Sequence, residues 1–219
     1  AGADTGAVEA LDSFDSLIDA SQESKDAWDA AGMQALANGE VALCVLSGGQ
    51  GTRLGFSGPK GMYDIGLPSG KTLFQLYAER LKRLGELAAL NAGVERCSVP
   101  LYIMTSESND TETRHYWRAN SFFGLEESDV VFFSQGRLPS LTDDGKIMLE
   151  SSSRIAYAPD GNGGVFLALK SSSSLEDMKK RGVKRIRRYQ KPTFSRQCPM
   201  ELRQRIANDC DAVVLSLAD

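Results

Sequence analysis

Val41-Ala42-Leu43-Cys44-Val45-Leu46-Ser47-Gly48-Gly49-Gln50-Gly51-Thr52-Arg53-Leu54-Gly55 is the stretch on which the fold turns. Six apolar residues in a row, met at once by glycines, predict a short strand of a parallel sheet, buried on both faces. Working outward, Thr72–Leu90 carries Leu73, Leu76, Tyr77, Leu81, Leu84, Leu87 and Ala88 at helical spacing. Leu101-Tyr102-Ile103-Met104 reads as a second strand, Asn109–Ala119 as a helix and Val130-Val131-Phe132-Phe133 as a third strand. Gly163–Lys170 and Leu175–Arg181 read as helices, with Ser171–Ser174 as a short polar loop. Strands alternating with helices predict an α/β domain with a mostly parallel central sheet. Upstream, residues 1–39 form an acidic, helix-like segment. There Leu11, Phe14, Leu17 and Ile18 recur at helical spacing between Asp12, Asp15 and Asp19. That pattern predicts an amphipathic surface helix with a solvated acidic face.

Composition sets the class. The 219 residues are 42% apolar and 25% charged with a net charge of −4, which describes an ordinary globular chain and excludes a disordered one. No apolar run approaches the ~18 residues of a membrane helix, and no signal segment follows the first residue, Ala1. The expectation is a soluble, cytoplasmic chain, cut from something longer. Cys44, Cys97, Cys198 and Cys210 are widely spaced and form no C-x-x-C, so free thiols are expected. The single histidine, His115, cannot build a multi-histidine metal site and is not read as catalytic.

The glycines carry the chemistry. In open α/β sheets ligands bind beyond the carboxyl ends of strands. Glycines there let the backbone approach a phosphate and aim several N–H groups at one anion. Gly51 is followed by Thr52-Arg53 where a P-loop needs Gly-Lys-Ser/Thr. Gly49, Gly51 and Gly55 give G-x-G-x-x-x-G, and the region near Ser69 lacks the carboxylate of a dinucleotide fingerprint. What remains is a phosphate loop with its own cations, Arg53 and Lys60, the latter presented by Pro59. A guanidinium fork and an ammonium beside a glycine cradle suit a polyphosphate whose charge shifts during reaction. On composition alone, a glycine-rich turn with two surface cations remains the alternative.

Leu46–Gly55 with Pro59-Lys60 resembles the sugar-nucleotide pyrophosphorylase signature L-x-x-G-G-x-G-T-R-x-G followed by P-K. The string Gly58-Pro59-Lys60-Gly61-Met62-Tyr63-Asp64-Ile65-Gly66-Leu67-Pro68-Ser69 narrows the resemblance to the eukaryotic UDP-N-acetylglucosamine pyrophosphorylases. Phe132-Phe133-Ser134-Gln135-Gly136-Arg137-Leu138-Pro139, Asp144-Gly145-Lys146-Ile147 and Ala158-Pro159-Asp160-Gly161-Asn162-Gly163-Gly164 match that family in the same order. The resemblance covers the amino-terminal and central part, residues 40–183. It implies a Rossmann-like nucleotidyltransferase domain, incomplete at its C-terminal side. It also implies UTP and N-acetylglucosamine 1-phosphate as substrates, and Mg²⁺.

Residue roles follow from the resemblance. The segment Leu46, Ser47, Gly48 and Gly49, continuing to Gly51 and Thr52, holds the nucleotide. Arg53 and Lys60 bind the triphosphate as catalytic cations. Gln135 and Gly161 read uracil, and Asn162 contacts the sugar. Gln135 offers a donor and an acceptor to a pyrimidine edge. The plain readings beside these roles are a strand-end surface glutamine and a tight turn at Gly161-Asn162-Gly163.

After Arg181-Gly182-Val183 the family pattern fails. The family continues with an apolar strand ending in Val-Asp-Asn, whose aspartate helps hold the metal. Here Lys184-Arg185-Ile186-Arg187-Arg188-Tyr189-Gln190-Lys191-Pro192 follows, with Pro192 near the aspartate's place, so the metal ligand is missing. Residues 184–219 are therefore expected to be a divergent basic tail, the product of a shifted frame or a mis-spliced exon. Lys179, Lys180, Arg181, Lys184, Arg185, Arg187, Arg188, Lys191 and Arg196 run without an intervening acid. Three functions remain in order: a uridylyltransferase, a non-catalytic UTP-binding fragment, and a nucleic-acid binder using that tail. The last is the least favoured in so acidic a chain.

Overall fold

The computed structural model describes residues 16–182, with Arg53 and Asn162 described by their backbone. The elements are α1 (Gln22–Ala37), β1 (Leu43–Leu46), α2 (Leu73–Ala92), β2 (Leu101–Thr105), α3 (Asp110–Ala119) and β3 (Val130–Ser134). They continue with β4 (Arg137–Pro139), β5 (Leu149–Ser151), β6 (Arg154–Ile155), β7 (Tyr157–Pro159), α4 (Val165–Ser171) and α5 (Ser174–Lys180).

The strands β1, β2 and β3 form a parallel sheet in that order, with Leu46 opposite Met104 and Thr105 opposite Ser134. β2 lies between the other two, and all five of its residues are buried. Successive side chains of a strand point to opposite faces. Leu101 and Ile103 accordingly enter one core with Phe74, Ala78, Leu81, Trp117 and Val130. Tyr102 and Met104 enter the other with Phe133, Val165, Ala168, Leu169 and Met178. Helices cover both faces, α2 and α3 one side, α4 and α5 the other. Two same-handed crossovers through α2 and α3 place those helices on a common face, as parallel connections require.

Local chemistry sets the helix limits. The Thr72 side chain caps α2 by accepting from the Gln75 amide at 3.4 Å, and Gly93 ends it at φ +65°. Ser21 caps α1 in the same way through the Ser24 amide. Leu36, near the end of α1, is buried in the core that α2 lines.

Three expectations need correction. β1 starts at Leu43, not Val41, and is half-buried throughout, because it has a strand on one side only among the described residues. Leu17 and Ile18 lie in a turn, 72% and 91% exposed, and helix begins only at Gln22. Leu11 and Phe14 lie outside the described residues. The helix expected from Gly163 starts at Val165, after a 3-10 turn over Asn162–Gly164. Between β3 and α4 the chain also makes an antiparallel arm, β4 with β7 and β5 with β6, that periodicity did not show. Its Leu138, Leu149 and Tyr157 are exposed. Among the described residues no helix is long and apolar enough to cross a membrane.

Candidate functional site

Parallel pairing brings the ends of β1, β2 and β3 to one side of the sheet, so the segments after Leu46, Thr105 and Ser134 are neighbours. The glycine loop leaves β1 with the Ser47 amide donating to Met104 O at 2.8 Å. It then doubles back. Gly51 N–H donates to Gly58 O at 2.9 Å, and Lys60 N–H to Gly49 O at 3.2 Å. Thr52–Leu54 and Lys60–Met62 are 3-10 turns on either arm of this fold-back. Arg53 and Lys60 are thus carried by adjacent turns of one loop. The two arms close on Phe56: a Cβ at Gly51 would lie 2.8 Å from its ring, and one at Gly58 2.9 Å. Gly55 ends the first turn at φ +70°, where an L side chain is strained.

The backbone N–H groups of Gly48, Gly49 and Gln50 have no hydrogen-bond acceptor among the described residues. Ser47 Oγ and Gln50 Oε1 are buried without a partner. Buried polar groups are normally satisfied, so unpaired donors and acceptors clustered in one loop mark a place prepared for a polar ligand.

Gln135 sits against this loop. It is buried, its amide N–H donates to Thr105 O at 2.8 Å, and a Cβ on Gly48 would come within 2.6 Å of its side-chain nitrogen. Only glycine at position 48 leaves room for that carboxamide. The third group of expected residues arrives through the arm. Asp160 N–H donates to Gly136 O at 3.1 Å, which lays the turn at Gly161 beside the residue after Gln135. Gly161 has φ +72° with open space around it, so its conformation, and not crowding, calls for glycine. The Asp160 carboxylate fills the gap left by Gly136 and Gly164, and its Oδ1 has no partner. Leu46 turns its side chain into the core, leaving its backbone to the sheet. Thr52 and Lys60 are exposed. A cleft of about 610 Å³ opens beside Gln135 and Gly136, lined also by Ser106, Arg137 and Tyr157; the glycine loop does not line it. Arg137 pairs with Glu107 and stacks 5.0 Å over the Tyr157 ring, tying the arm to the segment after β2.

One residue at the centre of this arrangement escaped the sequence reading. Asn109, 1% exposed, donates through Nδ2 to Ser47 O at 2.9 Å and Gly49 O at 3.4 Å. Its Oδ1 accepts from the Ser106 amide at 2.8 Å. The sequence signal was an Asn three residues after Ser at a helix start, which reads only as a local turn. Next to it, Asp110 accepts from Thr105 Oγ1 at 2.6 Å and from Arg114 Nε at 2.7 Å. Burial pushes the Asp110 carboxyl up, but those two bonds and the Arg114 charge outweigh it and hold it below the usual aspartate range. His115 is exposed on α3, away from these contacts. Cys44 and Cys97 are free thiols, and burial pushes the Cys44 thiol up to about 11. Among the described residues no three His, Cys, Asp or Glu side chains converge.

Known proteins are similar to this chain over most of its length. The chain is 49% identical over 162 residues to the UDP-N-acetylhexosamine pyrophosphorylase-like protein 1 of Xenopus tropicalis, covering 74% of this chain and 32% of that protein. It is 46% identical over 170 residues to UDP-N-acetylglucosamine diphosphorylase 1 of Arabidopsis thaliana, covering 76% and 34%. The crystal structure of the uridine diphosphate N-acetylglucosamine pyrophosphorylase of Trypanosoma brucei, in complex with an inhibitor, superposes with a TM-score of 0.69 at 38% identity. That match covers 74% of this chain and 33% of the other. The chain therefore spans about a third of the length of the relatives it matches. The parallel sheet and its helical crossovers are of the Rossmann-like nucleotidyltransferase type. The family described as UTP--glucose-1-phosphate uridylyltransferase matches residues 9–187, and to that family this chain belongs.

Proposed function

We propose that this chain is the nucleotide-binding portion of a uridylyltransferase that makes UDP-N-acetylglucosamine and pyrophosphate from UTP and N-acetylglucosamine 1-phosphate. The observation that carries the reading is the contact between Gly48 and the Gln135 carboxamide, beside three amides that have no acceptor among the described residues. A base reader and a phosphate cradle in van der Waals contact suit one ligand that is a base at one end and an anion at the other. The relatives' names support the choice of UDP-N-acetylhexosamine chemistry. The nucleotide-binding unit is residues 40–183, with residues 1–39 before it and the divergent tail 184–219 after it. Free thiols suit a reducing compartment such as the cytoplasm.

The residues divide the work by chemistry. The amides of Gly48, Gly49 and Gln50 donate to the phosphate oxygens. Arg53 and Lys60, on neighbouring turns, neutralise the triphosphate. Gln135 pairs with a pyrimidine edge, Gly161 gives the base room, and Asn162 meets the sugar. The reacting partners are both anions. In-line attack by the sugar phosphate oxygen on the α-phosphorus, with pyrophosphate leaving, is accelerated by positioning and charge neutralisation. No general base is needed, because the attacking phosphate is already ionised. A single well-placed donor in such a site is worth about 3–4 kcal/mol of barrier. Mg²⁺ is expected from the family, and among the described residues no cluster of three His, Cys, Asp or Glu side chains forms a site for it. The departure from the family pattern after Val183, with Pro192 near the place of the family's aspartate, favours a second reading, a UTP-binding fragment without turnover.

Calorimetry and a pyrophosphate-release assay separate these readings. UTP is expected to bind the 219-residue chain more tightly than CTP, because a Gln amide matched to O4 of uracil meets an amine in cytosine. Equal affinity for the two would defeat the base-reading role of Gln135. Binding without pyrophosphate release in the presence of the sugar phosphate identifies the fragment reading.

A further inference from the structure

We infer that Asn109 is the positioning residue of the glycine loop: it turns the loop's carbonyls inward and so sets its amides for the anion. The inference rests on the functional reading above and adds to it a residue from a different strand–helix connection. The Asn109 side chain is fully engaged. Its two N–H bonds go to Ser47 O and Gly49 O, and its oxygen takes the Ser106 amide. Exchanging oxygen and nitrogen would set an oxygen against two carbonyls and an NH₂ against an N–H, so the partners themselves fix the orientation.

The consequence follows from the peptide group. In a trans peptide the C=O and the following N–H point in opposite directions. With Ser47 O held by Asn109, the Gly48 N–H must face the other way. With Gly49 O held by Asn109 and by the Lys60 amide at 3.2 Å, the Gln50 N–H does the same. These two, with Gly49 N–H, are the amides that lack an acceptor among the described residues. Glycines allow many loop conformations, and a loop free to sample them would lose entropy each time an anion bound. A buried side chain with three bonds removes that freedom beforehand. The loop is 60 residues away in sequence, so this is a tertiary device, not a property of the glycine motif.

Two variants separate the anchoring role from a local one. Asn109→Asp keeps an acceptor for the Ser106 amide but loses both donors. Asn109→Ala removes the side chain without adding charge. In both, the dissociation constant of UTP is expected to rise by about tenfold or more while that of uridine changes by less than about twofold. The phosphate-dependent share is lost and the base share kept. UTP binding at the original affinity in either variant overturns the inference. So does equal weakening of uridine and UTP, which a general loss of structure would give. If the unaltered chain binds no UTP, the functional reading falls, and amide hydrogen exchange without ligand still judges the anchor. Exchange at Gly51 and Lys60, whose bonds close the loop, is expected to quicken by about tenfold in both variants. Unchanged exchange there overturns it.

Discussion

At the scale of single residues, the site depends on one missing methyl group. A Cβ at position 48 would lie 2.6–2.7 Å from three atoms of the Gln135 carboxamide. That carboxamide is the free end of a flexible chain, so it can swing away, and the fold survives the collision. Gly48→Ala is therefore expected to leave the melting temperature within a few degrees while removing most of the preference for UTP over CTP. Competition between the two nucleotides reads this directly, and an unaltered preference would show that Gln135 does not read the base. Much at this scale was legible beforehand. Gly48, Gly49, Gly51 and Lys60 were singled out from the residues of the loop and Gln135 and Gly161 from the family resemblance, and the fold brings the loop, Gln135 and the turn at Gly161 together. Asn109 was not, because its bonds run to Ser47 and Gly49, about 60 residues away. A contact of that span leaves no trace in local spacing.

At the scale of elements, α2 carries a glycine against its own propensity. In an ordinary helix interior Gly→Ala gains about 1 kcal/mol. Gly85 is buried, and a Cβ there would lie 2.5 Å from the backbone oxygen of Cys97, which cannot swing aside. Forced repacking costs about 1–3 kcal/mol, which exceeds the gain, so Gly85→Ala is expected to destabilise. A thermal melt that rises instead would mean the segment before β2 yields easily. The helices were legible because their apolar residues keep one period against one core, as Tyr77 and Leu81 do in α2, and the parallel strands because they are unbroken apolar runs. The arm was not. All the residues of β4, β5, β6 and β7 are exposed, so no inside–outside alternation marks them. The same reason undoes Leu17 and Ile18: apolar residues at helical spacing predict a helix only when a surface exists to receive them.

At the scale of the whole molecule, α5 is tied to the sheet by charge as well as by packing. Tyr102 OH donates to Asp177 Oδ2 at 2.6 Å, and Arg181 bridges Asp177 and Asp129 at 2.8 and 3.0 Å. Burial pushes the Asp177 carboxyl up, but the bonds from Tyr102 and Arg181 and the charges of Arg181 and Lys180 outweigh it and hold it below the usual range. A carboxylate depressed in the native state contributes stability that is complete above its unfolded value of about 4 and is lost as pH falls through its native value. Asp110 behaves alike. The melting temperature is therefore expected to hold near neutrality and to drop on acidification below about pH 4. Asp177→Asn should lower it at pH 7 and make the acid drop shallower; a variant that melts like the parent at both ends would remove this tie from the account. Finally, the three parallel strands have a lateral consequence. Among the described residues no strand pairs with β1 or β3 on its outer side, so both are edge strands of this sheet, with Arg114 donating to Phe132 O of β3. A strand added in parallel along either edge would bring its carboxyl end level with the glycine loop, so growth of the sheet in that sense would also extend the wall beside the loop.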